Sequence, residues 1–205
     1  MIRKPIRLQF LSTSALSVSA ASTFYCPDAT HEKPPVVAGP ISHADWLIAV
    51  FEQWINQGPS HLRVRFFETI VELLLGYERS VDYIGGRPTR IAVIETDGGI
   101  EPVDVLKICG DGFTKTGLNV LNDTLAGLRD HWLGAAYAGA GGNLCGICRA
   151  CPVVAVCGGG YMPHRYSQAR GFDNPSVYCR DLKKVITYVN GRLRNLIQAA
   201  ALSCE

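Results

Sequence analysis

The sequence contains no long apolar run and carries little net charge. No stretch reaches the roughly 18 apolar residues that a membrane-spanning helix requires, so an integral membrane protein is not expected. The 20 basic and 18 acidic side chains give a formal charge of +2 at pH 7. Because there is no run of Lys or Arg and no basic stripe with interleaved aromatic residues, we expect neither a membrane nor a nucleic acid as a partner.

Common catalytic motifs are also missing. Nothing resembles a Ser/His/Asp triad, and Gly110-Asp111-Gly112 lacks the third glycine and the Lys of phosphate-binding loops. Asp97 precedes two glycines between two apolar runs, which favours a hairpin turn over a catalytic acid at this position. These absences leave the cysteines as the main indication of function.

Five of the eight cysteines fall within 35 residues, at positions 145, 148, 151, 157 and 179. Thiols spaced two residues apart can reach one centre, because the turn between them folds the backbone around it. The glycines that follow Cys157 let the backbone pass close to a bulky centre. We therefore predict a metal or metal-cluster site with Cys148, Cys151 and Cys157 as three ligands and Cys179 as the candidate fourth.

Other interpretations of this array remain open at the level of spacing alone. Disulfides suit a small secreted protein, whereas a chain of 205 residues can bury a core without them. A structural zinc site normally shows two Cys or His pairs, and only Cys148 and Cys151 form such a pair here. Five crowded thiols are hard to explain as buried free cysteines. An iron–sulfur cluster fits best, and the Cys151-Pro152 step points the same way.

The pattern of apolar residues predicts an α+β chain. Residues 1–23 are expected to form an irregular N-terminal tail, in which serines interrupt a stretch faintly like a secretory signal. A cytoplasmic location is favoured, since thiol ligation suits a reducing compartment. After the tail, the sequence predicts one helix from Ser42 to Gly58 and another over 62–75, followed by a β-hairpin over 91–103. A short helical segment is predicted over 124–138. A final helix is predicted from Asp181, with Asn190-Gly191 as a weak point in its middle.

The run Cys148-x2-Cys151-x5-Cys157-Gly-Gly-Gly, with Cys179 22 residues later, is similar to the SPASM auxiliary-cluster module of radical S-adenosylmethionine (SAM) enzymes. The stretches 158–167 and 171–179 resemble the FxsB-like branch, whose members crosslink side chains in ribosomally made peptides. Further similar stretches lie at 27–31, 44–47 and 95–107.

The resemblance implies two domains after the tail. Residues 24–88 would be the end of a partial (β/α) barrel, and residues 89–205 the SPASM-like domain. The sequence has no Cys-x3-Cys-x2-Cys, the motif that holds the SAM-cleaving cluster in this family. We therefore expect no SAM cleavage by this chain alone. A truncated peptide maturase and a split enzyme that acts with a separate radical SAM chain both remain open, with a precursor peptide as the implied substrate.

The resemblance also implies the site residues. One 4Fe-4S cluster would be held by Cys148, Cys151, Cys157 and Cys179, with Cys145 as an alternative ligand. A second cluster would need cysteines where Asp104 and Tyr161 stand, so only one is expected, and the role of Cys109 is open.

His164 and Arg165 follow the glycines directly and are candidates for substrate binding or for tuning the cluster. A structural pairing of Arg165 with Asp173 is the alternative for that side chain. Two other interpretations apply to the whole chain: a zinc-binding structural or interaction module, and a nonfunctional gene remnant whose exposed apolar surface would make it aggregate.

Overall fold

A computed structural model describes residues 42–57, 62–79, 81–86, 91–139 and 143–202. The predicted N-terminal tail and the stretch 27–31 lie outside these residues. No helix within the described part has the length and apolar character needed to cross a membrane. What the structure does describe is mainly helical, with one small sheet.

Helices α1 (His43–Gln57) and α2 (Arg65–Leu74) confirm the two predicted N-terminal helices. The predicted cap of α1 is present, since Ser42 Oγ accepts from Asp45 N at 3.2 Å and donates to Asp45 Oδ2 at 2.5 Å. This reciprocal pairing satisfies a backbone donor that the first turn leaves without a helical partner. Helix α2 begins three residues later than predicted and ends just before Gly76, whose φ is +86°.

The last helix, α7 (Cys179–Leu202), begins two residues before the predicted start at Asp181. It runs through Asn190-Gly191 without a break, because its apolar face is held against α1 and α2. Phe51 and Phe67 lie in this interface with ring centroids 5.4 Å apart in an edge-to-face arrangement. The buried residues of this first core are Ala44, Phe51, Phe67, Ile70, Ile84, Val156, Val185, Ile186 and Val189.

Polar contacts fix how α7 lies on α1. Glu52 accepts from Tyr188 Oη at 3.0 Å and from Arg192 Nε at 3.2 Å. At the other end of the interface, Asp181 Oδ1 accepts from Ala44 N at 3.1 Å and so caps the start of α1 from a distant part of the chain. These contacts set the position of the beginning of α7, where Cys179 lies.

The predicted hairpin is present but short. Strands β1 (Val93–Ile94) and β2 (Ile100–Glu101) pair antiparallel, with Ile94 opposite Ile100. Asp97 Oδ1 accepts from Gly99 N at 2.9 Å, which is the turn role predicted for this residue. The hairpin therefore uses Asp97 as a turn residue.

A second core lies beyond the hairpin. The segment predicted as one short helical stretch forms two helices, α3 (Leu125–Asp130) and α4 (Trp132–Ala138). They separate at His131, which is extended (φ −68°, ψ 136°) and whose Nδ1 accepts from Leu133 N at 3.3 Å. A 3₁₀ helix over Asp104–Cys109 packs into the same core. The buried residues of this core are Val103, Leu106, Leu133, Tyr137 and Met162.

Candidate metal centre and adjoining cavity

Four of the predicted ligands line a single cavity. Cys148 lies in the one-turn helix α5 (Gly146–Arg149), and Cys157 is the last residue of the one-turn helix α6 (Val154–Cys157). Cys151 lies between these helices, and Cys179 is the first residue of α7. All four border a cavity of about 170 Å³. The fold thus brings together thiols that are up to 31 positions apart in the sequence.

Cys145 occupies a different place from these four. It is 3% exposed, it hydrogen-bonds with the Cys148 side chain, and it is not among the residues that line the cavity. Cys109 packs against the second core and is also absent from the cavity lining. The structure therefore distinguishes Cys145 and Cys109 from the four cavity-lining cysteines by position.

Burial controls the protonation of the thiols. It raises the pKa of Cys157 to about 11, and it is also the largest cause of the raised pKa of Cys148 and of Cys179. Neighbouring cysteines add to each shift, because several thiolates this close together repel one another. Cys148, Cys157 and Cys179 are therefore protonated at neutral pH, and any metal that binds these three thiols must displace their protons.

Gly158 shapes the wall behind Cys157. Its φ is +61°, and a Cβ at this position would lie 2.0 Å from the backbone nitrogen of Gly86. Only glycine allows this approach of two backbone segments. Gly85 N donates across the same contact to Val156 O at 2.9 Å and to Cys157 O at 3.3 Å. The contact holds the end of α6 in place and with it the Cys157 side chain.

Arg165 lies almost completely buried next to the cysteines, at 1% exposure. Burial lowers the pKa of its guanidinium group, while Cys148, Cys145 and Cys157 act in the opposite direction. The side chain also donates to Asn143 O at 3.4 Å. Arg165 therefore places a positive group beside the thiols, away from solvent.

Hydrogen bonds from Asn174 fix the backbone around Arg165. Asn174, 1% exposed, donates through Nδ2 to Arg165 O at 3.0 Å and to Ser167 Oγ at 3.1 Å. Asp173, the alternative partner considered for Arg165, forms an exposed ion pair with Arg170 at 3.3 Å.

His164 points to a second cavity that the sequence did not predict. This cavity has a volume of about 340 Å³ and lies between residues that pack against the first core and the segment that directly follows Gly158–Gly160. Burial lowers the pKa of His164 to about 4, so its imidazole is neutral at pH 7. The residues that line the cavity are His43, Leu47, Phe66, Tyr83, Tyr161, His164, Tyr178, Asp181 and Leu182. These residues come from separate stretches of the sequence, so no local sequence pattern predicts the cavity.

The two positions linked by the resemblance to a second cluster lie near each other. Burial raises the pKa of Tyr161, and Asp82, Tyr137, Asp104 and Cys109 raise it further in that order. Tyr161 is thus close enough to Asp104 and Cys109 for these side chains to contribute to its raised pKa. Among the described residues, no group of three or more His, Cys, Asp or Glu side chains is placed to hold a single metal ion.

Comparisons with known proteins find likeness in structure only. No protein-family model matches the chain, and no curated protein matches it. Native anSMEcpe with bound AdoMet and the Kp18Cys peptide matches with a TM-score of 0.61 and 23% sequence identity, over 82% of this chain and 46% of that chain. Native anSMEcpe with bound AdoMet and the Cp18Cys peptide matches with a TM-score of 0.60 and 22% sequence identity, over 85% of this chain and 49% of that chain. Native anSMEcpe with bound AdoMet alone matches with a TM-score of 0.56 and 22% sequence identity, over 75% of this chain and 40% of that chain.

These neighbours are anaerobic sulfatase-maturating radical SAM enzymes. The chain spans less than half of their length, and at this sequence identity the likeness concerns the fold. It agrees with the fold that the predicted resemblance implies, and it leaves membership of the FxsB-like branch a prediction. The chain has the fold of part of a radical SAM enzyme.

Proposed function

We propose that this chain is the auxiliary-cluster part of a radical SAM enzyme that modifies a ribosomally made peptide. In this proposal Cys148, Cys151, Cys157 and Cys179 hold one [4Fe–4S] cluster. The observation that carries the proposal is the lining of one cavity by these four thiols. The fold it shares with part of a radical SAM enzyme supports the same conclusion.

The chemistry of the cavity suits a cluster. A [4Fe–4S] cluster needs one thiolate for each iron and room for its own sulfides. The cavity, at about 170 Å³, has roughly ten times the volume of about 15 Å³ that one water needs. A single zinc ion would instead require the four sulfurs to converge at about 2.3 Å from one point. Thiols spread around a cavity therefore favour the larger group.

The protein residues around the cavity have complementary roles. Arg165 supplies a buried positive charge that would offset the negative charge of four thiolates. The glycines that follow Cys157 allow the backbone to wrap closely around the site. When bound, a cluster of this kind supplies a centre that accepts or donates one electron.

A peptide is the proposed substrate. Two of the structures with the same fold contain a bound peptide together with AdoMet. The similarity of residues 158–179 to the FxsB-like branch narrows the proposal to crosslinking of side chains. SAM cleavage would have to come from a radical SAM chain or segment that carries the Cys-x3-Cys-x2-Cys motif, which this sequence lacks.

Single cysteine variants test the ligand assignment. We expect Cys179→Ser to lose most of its bound iron after anaerobic purification, because it removes a proposed ligand. The matched control Cys109→Ser should retain iron at the wild-type level, since Cys109 packs in the second core. Cys145→Ser should also retain iron, because Cys145 lies outside the cavity lining. Loss of iron in Cys145→Ser but not in Cys148→Ser would show that Cys145 is the ligand.

A second measurement tests the proposed dependence on a partner. The purified chain, reduced with dithionite and incubated with SAM, should form no 5′-deoxyadenosine. Formation of this product would contradict the proposal. Bound zinc in place of iron, retained by the wild-type chain and lost in Cys179→Ser, would instead support the structural zinc module.

A further inference from the structure

Cys145 and Cys148 form a buried pair of thiols at the edge of the cysteine cavity. They are 3% and 7% exposed, both are free, and their side chains hydrogen-bond with each other. Cys148 borders the cavity, whereas Cys145 is not among the residues that line it. Cys148 is therefore placed to act either as a ligand in the cavity or as a bonding partner of Cys145.

The local backbone holds these two residues within the range of a disulfide. Cys145 directly precedes α5, and Arg149 N donates to Cys145 O at 3.0 Å, which closes a helical turn that contains both cysteines. Cα atoms three residues apart in such a turn are separated by about 5 Å. Disulfides usually join Cα atoms about 4.4 to 6.8 Å apart, so a bridge needs no large movement of the backbone. The Cys-x2-Cys spacing is also that of dithiols that form and break a disulfide reversibly.

The surroundings of the pair suit an uncharged form of sulfur. Cys145 and Cys148 pack in one small buried cluster with Leu144, and Val154 packs against it. Burial raises the pKa of Cys148 to about 12, and the hydrogen bond with Cys145 adds to this rise. A metal requires Cys148 as a thiolate, whereas a disulfide carries no charge. A bridge between the two sulfurs therefore avoids the desolvation cost that a thiolate incurs at this place.

We propose that Cys145 and Cys148 form a reversible disulfide in the metal-free chain, and that this bridge excludes metal by withdrawing Cys148 from the cavity. The oxidant is a low-molecular-weight disulfide. The two protein thiols lose their hydrogens and form one S–S bond, while the small disulfide is reduced to two thiols. A metal bound to Cys148 prevents the same reaction. The inference rests on the proposed function only for the role of Cys148 as a ligand.

A redox equilibrium tests this proposal on the full chain. The chain is purified without oxygen, and one half is stripped of metal with a chelator. Both halves are equilibrated with 2-mercaptoethanol and 2-hydroxyethyl disulfide, with the thiol in about tenfold excess so that few mixed disulfides persist. Because the raised pKa of Cys148 leaves little thiolate, the exchange is slow, and equilibrium is approached from both reduced and oxidised chains. The remaining thiols are then trapped by acid and alkylation.

Trypsin digestion and mass spectrometry locate the bridge. Residues 130–149 form one tryptic peptide, which contains Cys145 and Cys148 and no other cysteine. We expect this peptide to be two hydrogens lighter and not alkylated in more than about half of the metal-free chains. In chains that keep their metal the bridged fraction should be at least about fivefold lower. The control Cys109→Ser should give the same fractions as the wild type, and Cys145→Ser should give no bridged peptide.

The proposal is overturned if the peptide from the metal-free chain stays fully alkylated, or if it is linked to a peptide that carries another cysteine. An equal bridged fraction in chains that keep their metal would refute the exclusion of metal. Because the peptide map does not depend on the metal, a chain that binds zinc and still shows these results would contradict only the cluster assignment. A reduced chain that takes up neither iron nor zinc would contradict the exclusion of metal together with the proposed function, and the peptide map would still decide the bridge.

Discussion

Replacing Gly158 with alanine should severely disturb the wall of the cysteine cavity. The added Cβ would lie 2.0 Å from Gly86 N and 2.3 Å from Gly86 Cα, so two backbone segments would have to separate. The positive φ of +61° adds its own cost for a residue with a side chain. Separation would also weaken the hydrogen bonds from Gly85 N to Val156 O and Cys157 O.

The size of the effect follows from these contributions. The left-handed backbone costs about 1 to 2 kcal/mol. Steric overlap and the loss of backbone hydrogen bonds cost about 2 to 3 kcal/mol more. We therefore expect Gly158→Ala to lower the free energy of unfolding by about 3 to 5 kcal/mol, a large part of the stability of an ordinary domain.

Two other glycines provide controls for the separate causes. Gly112 has a φ of +65°, and an added Cβ there would meet no atom within 4 Å, so Gly112→Ala should cost only about 1 to 2 kcal/mol. Gly191 lies inside α7 with open space around it, so Gly191→Ala should stabilise the protein by up to about 1 kcal/mol. Urea unfolding followed by circular dichroism measures all three. A cost for Gly158→Ala within about 1 kcal/mol of Gly112→Ala would refute the proposed backbone contact.

Two further predictions concern stability. Burial lowers the pKa of His164 to about 4, below the value of about 6.5 in an unfolded chain. The unfolded state therefore binds the extra proton, and stability should fall by about 2 kcal/mol from pH 7 to pH 5, a loss that His164→Gln should remove in urea titrations at both pH values. An equal loss in the variant would show that another group is responsible. Phe51→Ala should cost about 3 to 5 kcal/mol, because Phe51 is 0% exposed in the first core. Trp46→Ala, on the same helix but 51% exposed, should cost less than about 1 kcal/mol, and similar costs for the two variants would contradict the packing of α1.

Local patterns in the sequence predicted the elements that depend on local interactions. The cap at Ser42 and the apolar repeat after it predicted α1, and Asp97-Gly98-Gly99 predicted the hairpin turn. The final helix was predicted with a weak middle, but tertiary packing on α1 and α2 outweighs the low helix propensity of Asn190-Gly191. Helix α7 also starts earlier than expected.

The parts that depend on distant contacts were harder to predict. The spacing of Cys148, Cys151 and Cys157 indicated a shared centre, but only the fold brings Cys179 to the same cavity and separates Cys145 from it. The second cavity has no sequence pattern, since residues near position 43 meet residues near 164 and 181 only after folding. The burial of Arg165 likewise depends on Asn174 and the loop it holds.

The most direct measurement is the metal and sulfide content of the wild-type chain purified without oxygen. We expect about four irons and about four sulfides for each chain, with little zinc, as one [4Fe–4S] cluster requires. About one zinc for each chain, with neither iron nor sulfide, would contradict the assignment of a redox cluster to Cys148, Cys151, Cys157 and Cys179.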